Sequence, residues 1–219
     1  VSAELSARAI AQLDDVRAYG YDPADDDHEI QCWIDELNAA SQEFHDVGNR
    51  EFVAKNADRA GPNDPVTVAQ QTRYFDLDHC HVEERMLDIG DFALPAPTAV
   101  RITALDGSLV ETVTLSTLVY LPRIREPHEP IEELWFRPGM LNSAALAPGY
   151  IAEVDGKWGF PSLPANLVQA CAKQAAIWFS RDIRRYSTTF NLDSNRFEVP
   201  RSLSPAIRDV VKHYARRSV

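Results

Sequence analysis

The chain has no apolar run approaching the roughly 20 residues that cross a bilayer, so no membrane span is expected. Its three cysteines, Cys32, Cys80 and Cys171, are far apart and odd in number. Free thiols in a reducing compartment are the simplest reading. The opening Val-Ser-Ala-Glu-Leu has no basic stretch leading into an apolar one, and no secretory signal is expected from it. There is no Gly-x-Ser-x-Gly, and Gly156-Lys-Trp-Gly159 lacks the spacing of a phosphate loop. His28, His45, His128 and His213 lie in polar contexts that suggest no nucleophile beside them. Internal repeats and low-complexity stretches are also missing. Together these absences predict no catalytic residue and no cofactor.

Two clusters invite a metal. His79-Cys80-His81 with Glu83 and Glu84 has ligating side chains. On a strand, however, His79 and His81 project to one face and Cys80 to the other, so they do not converge. Asp22, Asp25, Asp26, Asp27 and Glu29 lack the central glycine and distal glutamate of a calcium loop. Acids there suit the positive end of a helix dipole. No metal site is predicted.

What is present is a core. Of 219 residues, 45% are hydrophobic and 25% charged, enough apolar material to fold without crosslinks. Ser2 can cap a short helix over 2–12, and Asp14 and Asp15 open a second that Gly20 closes. Ile30, Trp33, Ile34, Leu37, Ser41, Phe44 and Val47 recur at helical spacing up to Gly48. Residues 50–66 read as a loop broken at Gly61-Pro62 and Asp64-Pro65. Strands are predicted over 71–77, 85–92, 99–105 and 109–121, with shorter ones at 131–137 and 150–154. Asp106-Gly107 is a hairpin turn. Leu167, Cys171, Ala175, Trp178 and Ile183 mark a helix over 165–185, and Ser204-Pro205 opens a last one to about Arg216. The expected fold class is α+β: a helical bundle of N- and C-terminal helices with a small antiparallel β-sheet inserted in the middle. The expected division is a helical core of 1–66 and 161–190, a sheet region of 67–160, and a C-terminal arm of 191–219 with a short helix. Trp33 and Trp178 belong to helical core stripes. Trp135 and Trp158 are candidates for a subunit contact, with core packing the other reading.

The net charge of −11 is unevenly spread. From Ser180 onward there are nine basic residues (Arg181, Arg184, Arg185, Arg196, Arg201, Arg208, Lys212, Arg216 and Arg217) and four acidic ones, a net of +5, which leaves −16 for residues 1–179. An acidic body argues against duplex DNA binding as the main task. The basic tail suits an acidic partner, or is a solvated helix end.

Three stretches carry a resemblance. The first is Leu13-Asp-Asp-Val-Arg-Ala-Tyr-Gly-Tyr21 followed by the long helix into Phe44-His-Asp-Val-Gly-Asn-Arg-Glu-Phe52, where Gly48, Arg50 and Phe52 form a Gly-Arg-x-Phe-like pattern. The second is Val154-Asp-Gly-Lys-Trp-Gly-Phe-Pro-Ser-Leu-Pro-Ala-Asn-Leu-Val-Gln-Ala170, a strand, a Trp-Gly turn, two prolines and an alanine-rich helix. The third is Pro205-Ala-Ile-Arg-Asp-Val-Val-Lys-His-Tyr214 with Arg216 and Arg217. In this order they resemble the head-tail connector (head-to-tail adaptor, head-completion) family of long-tailed double-stranded DNA phages.

The resemblance implies a structural virion protein of the neck, assembled in the host cytoplasm, in a ring of about twelve copies that matches the portal. It implies contacts with the portal protein, with copies of itself and with the next neck protein, the stopper, and no enzymatic activity. DNA would pass through the ring without sequence-specific binding, helped by acids that repel phosphate. The expected portal or subunit interface is Arg184, Arg185, Arg196, Arg201, Arg208, Lys212, Arg216, Arg217 and Trp158, on a terminal segment that orders on docking. Alternatives are another neck component, such as a stopper or tail-completion protein, or a helix-turn-helix regulator. The last would present Asp14, Asp15, Asp22 and Asp25 around one arginine, a poor surface for a major groove.

Overall fold

The computed structural model describes residues 4–18, 20, 27–59, 67–77, 86–92, 97–113, 119–120, 130–136, 149–187 and 202–215, with side chains described except at 91–92, 119–120 and 181–187. The class is α+β. The elements run α1 (Leu13–Ala18), α2 (Asp27–Gly48), β1 (Ala57–Asp58), β2 (Thr67–Val68), β3 (Gln71–Asp76), β4 (Met86–Phe92), β5 (Ala99–Ala104), β6 (Leu109–Val113), β7 (Val119–Tyr120), β8 (Ile131–Phe136), β9 (Tyr150–Gly156), α3 (Ala165–Ser187) and α4 (Pro205–His213). Two compact units emerge: a helical one of Val1–Arg50, Asp58–Thr67 and Leu163–Val219, and a β-rich one of Glu51–Ala57 and Val68–Ser162.

In the helical unit, α2 buries Trp33, Ile34, Leu37, Ala40, Ser41 and Phe44 along one stripe. It packs on α3, which buries Leu167, Cys171, Ala175 and Trp178. Trp33 and Phe179 stack with ring centroids 3.9 Å apart. The end of α2 follows from its last residues. Asn49 takes φ +48°, Arg50 N–H donates to His45 O at 3.3 Å, and Asn49 N–H to Asp46 O at 3.2 Å. That is the Schellman closure, in which the left-handed residue follows the helix. Asparagine takes the role just after Gly48, because its short polar side chain tolerates that conformation.

The helix expected over 2–12 is not formed in residues 4–12, which make turns and bends. Their amides are claimed elsewhere. Ser6 N–H donates to Asn38 Oδ1 at 2.8 Å, Ile10 N–H to Ser41 Oγ at 2.9 Å, and Gln12 N–H to Asp15 Oδ2 at 2.7 Å. The first two bonds tie the segment to polar side chains of α2, so its donors are unavailable for a helical ladder. The third is the reach-back half of a capping box on α1.

The β-rich unit holds two antiparallel sheets rather than the single sheet expected. One has four strands in the order β3-β9-β5-β6, the other three in the order β4-β8-β7. The run 109–121, expected as one strand, is divided. Leu109–Val113 pairs with β5, while Val119–Tyr120 pairs with β8 in the other sheet. The apolar positions Leu109, Val113, Leu115, Val119 and Leu121 keep a single period-2 phase, so alternation alone reads as one strand and gives no sign of the division. Val100, Ile102, Val113, Ala152 and Val154 of one sheet and Leu87, Ile89, Ile131, Leu134 and Phe136 of the other form a common buried cluster with Trp158. The predicted Asp106-Gly107 turn is present, with Gly107 at φ +82° and Asp106 Oδ1 accepting from Ser108 N–H at 2.9 Å.

Candidate functional site

The residues that carry the three sequence matches meet in two places. The first lies in the helical unit, around α4. Leu203, Ile207, Val211 and Tyr214 recur every three or four positions and are all buried, so one stripe of α4 faces α2 and α3. Burying each of the aliphatic ones stabilises the docked helix by about 1.5–3 kcal/mol. Pro205 occupies the first turn, where a missing N–H costs nothing.

Ser204 does not cap through its hydroxyl. Its backbone N–H donates instead to Oε1 of Gln174 at 3.0 Å. Gln174 is wholly buried on α3. A polar side chain at a core position, on the line Leu167, Cys171, Gln174, Trp178, was the signal in the sequence that this helix receives a neighbour's backbone.

The far end of α4 is held by three polar groups. The Tyr214 hydroxyl donates to Asn166 Oδ1 at 2.8 Å, and Arg50 Nη1 donates to the Tyr214 carbonyl at 2.5 Å. Arg50 comes from the first matched stretch, Asn166 from the second and Tyr214 from the third. No local pattern reveals these anchoring roles, because they join segments far apart in the chain.

The anchored helix turns Arg208, Asp209, Lys212 and His213 outward, all exposed. Arg208 and Lys212 are one turn apart on the same face. Like charges at that spacing cost an isolated helix about 0.2–0.5 kcal/mol. Asp209 moderates this, and Lys212 and His213 suit the negative end of the dipole. Of the expected interface, Arg208 and Lys212 are thus placed together on one exposed face. Arg184 and Arg185 lie on α3 where side chains are not described, and Arg196, Arg201, Arg216 and Arg217 lie outside the described residues, as does the cluster 79–84. The arm expected over 191–219 contains, in its described part 202–215, the helix Pro205–His213, packed in the helical unit.

The second meeting place is in the β-rich unit, and it corrects the expectation for Trp158. That residue is completely buried and offers no surface to another subunit. Its Nε1 donates to Gln71 O at 3.1 Å, the Arg73 guanidinium lies 4.4 Å from its ring centroid, and Phe75 packs beside it at 5.7 Å. Gly159 sits at φ +94°, and a Cβ there would come within 3.0 Å of Ala54 N and 3.3 Å of Phe52 O. The Trp-Gly turn therefore exists to let the chain after Arg50 pass closely. Phe52 O accepts from Phe160 N–H at 3.1 Å, and the two phenyl rings lie 5.2 Å apart. Arg73 also bonds Glu51 at 2.7 Å. Burial alone would raise the Glu51 carboxyl, but the hydrogen bond and charge of Arg73, with Lys55 nearby, outweigh it and hold Glu51 below the usual glutamate range. Trp135 is half-buried and donates to Glu133 at 2.9 Å.

Among the described residues, no three or more His, Cys, Asp or Glu side chains gather to hold a metal, and no helix is long and apolar enough to cross a membrane.

The same fold occurs in a chain from the neck of an empty gene transfer agent particle computed with C6 symmetry. The TM-score is 0.53 at 16% identity, over 99% of this chain and 96% of that one. A chain from the virion of a native gene transfer agent particle gives 0.48 at 15% identity over the same shares. At these identities the likeness is one of fold. No protein-family model and no curated protein matches the sequence.

Proposed function

We propose that this chain is a structural subunit of the neck of a phage-like particle, and within the neck the head-to-tail adaptor that docks under the portal, extends the DNA channel and attaches the tail. The observation that carries the reading is the end-to-end agreement of fold with a neck chain, 99% against 96% of the two lengths. The three matched stretches add to it, since Arg50, Asn166 and Tyr214 converge on the terminal helix.

The subunits form a ring. The related neck was computed with C6 symmetry, and a ring of about twelve is a multiple of six and would match a portal of the same order. Arg208 and Lys212 meet carboxylates on the portal, where charge-assisted hydrogen bonds are strongest. The stopper joins on the opposite side of the ring, and DNA slides past a body whose net charge repels phosphate.

Replacing Arg208 and Lys212 together by glutamate tests this. Both are exposed, so the folded chain should give an unchanged circular dichroism spectrum. Heads bearing portal but lacking the chain should be completed by the parent protein and not by the variant. Completion at parental efficiency by the charge-reversed chain would remove α4 as the docking surface. Electron microscopy that finds the chain outside the neck would remove the function itself.

A further inference from the structure

We propose that the four-stranded sheet continues from one subunit to the next, the outer edge of β6 in one copy pairing with the outer edge of β3 in its neighbour. This rests on the ring reading above and names the surface by which copies join. In the order β3-β9-β5-β6, β3 and β6 are the outer strands, each paired on one side only among the described residues. Every adjacent pair is antiparallel. With four alternating strands the two outer ones run in opposite directions. A β6 edge therefore meets the β3 edge of another copy in antiparallel sense, and alternation is kept across the joint. The two surfaces differ, so the contact is heterologous, the kind that generates rings.

The side chains agree. Among the described large apolar residues, those left exposed are Tyr74 on β3 and Leu105, Leu109 and Val110 at the tip and start of β6. Natural edges are usually protected by charge, proline or a bulge; β3 has Arg73 and Asp76 and β6 has Glu111 and a bulge, yet each also exposes apolar side chains. In the antiparallel register that sets Val110, the extra residue of the β5–β6 bulge, opposite Tyr74, an aromatic meets a β-branched residue, a favourable combination. The same register sets Glu111 beside Arg73, whose guanidinium already pairs with Glu51; the charges are of opposite sign across the joint. It also keeps the core face continuous, because Phe75, Ala152, Ile102 and Glu111 form one cross-strand row. The β5–β6 ladder slips by one residue between Ile102 and Thr103. Such a bulge increases local twist, which turns successive sheets and favours a closed ring over a flat stack.

The test is pairwise crosslinking of full-length chains at high concentration with a short bismaleimide. Val110→Cys protein is mixed with Tyr74→Cys protein, with the parent and an exposed helical variant, Gln42→Cys, as collision controls. The expected result is a mixed Val110→Cys/Tyr74→Cys dimer well above the controls, and a ladder of oligomers when both substitutions are in one chain. Dimers of Val110→Cys with itself would instead mean a two-fold β6–β6 contact and overturn the proposal, as would the absence of any product above controls. Circular dichroism of each variant guards against misfolding. Particle completion reads the neck function independently: a chain that completes heads yet gives no mixed crosslink refutes the edge joint alone.

Discussion

Arg50 and Tyr214 stand 164 positions apart, and the guanidinium of one donates to the main-chain carbonyl of the other. Arg50 directly follows the Schellman turn that ends α2, so the way one helix stops fixes where the last one docks.

The anchors of α4 should be separable by mutation. Tyr214→Phe removes the bond to Asn166 and should cost about 1 kcal/mol. Arg50→Ala leaves a carbonyl without its charged donor and should cost about 1.5–3 kcal/mol. Urea unfolding gives the size, and amide exchange should quicken over 205–213 first. Midpoints that stay at the parental value in both variants would mean that apolar burial alone holds the helix.

Gly159→Ala should be far more harmful than Gly20→Ala. Both glycines have positive φ, but a Cβ at 20 meets nothing within 4 Å, whereas at 159 it meets the backbone of 52–54. The conformational cost is shared, roughly 1–2 kcal/mol. The clash adds to it at 159 only. Thermal melts of the two variants provide the comparison, and equal shifts would argue against the close approach.

Glu51 should make the β-rich unit sensitive to acid. Its folded value lies below its unfolded one. The stabilisation is therefore complete above the unfolded value and is lost as pH falls through the folded value. Melting temperature followed from neutral pH down through the carboxylate range should fall less steeply for Glu51→Gln than for the parent. Parallel curves would show that the Arg73 pair contributes nothing.

Cys171 should be inert in the native chain. Burial pushes its thiol up to about 12, with the Ser41 hydroxyl 3.4 Å away, and only the thiolate reacts. Cys32 is half-buried and should label before Cys171. Peptide mapping after brief alkylation gives the order, and early modification of Cys171 would mean that the α2–α3 packing opens readily.

Docking through Arg208 and Lys212 should weaken as salt is raised, because exposed ion pairs are screened. Head-completion titrated against sodium chloride gives the slope. A flat response would point to an apolar portal contact.

Much of the helical unit was legible in the residues. The stripe from Trp33 to Phe44 and that from Leu167 to Trp178 are local patterns at a fixed period, and the structure has helices there. The first twelve residues were misread because Ser2 and Leu5 imitate a capped helix, while the donors of Ser6 and Ile10 go to Asn38 and Ser41, about thirty positions away. Strand positions could be read from alternation, but the number of sheets could not, since Leu109–Val113 and Val119–Tyr120 keep one alternation and differ only in the strand each pairs with. For Trp158 the residues left two readings, subunit contact and core, for a similar reason: a tryptophan in a turn looks accessible until Gln71, Arg73 and Phe75 close over it.

Composition, period and turn chemistry, all local properties of the chain, determined where the long helices and most strands lie, where Asp106-Gly107 turns, and that the tail is basic. Pairing decisions between distant residues belonged to the folded state: which strand joins which sheet, that Asn166 and Arg50 both seize Tyr214, and that Gly159 lies against Phe52. The reason is physical. A backbone amide accepts the best partner within reach, and reach is set only once burial has brought remote segments together.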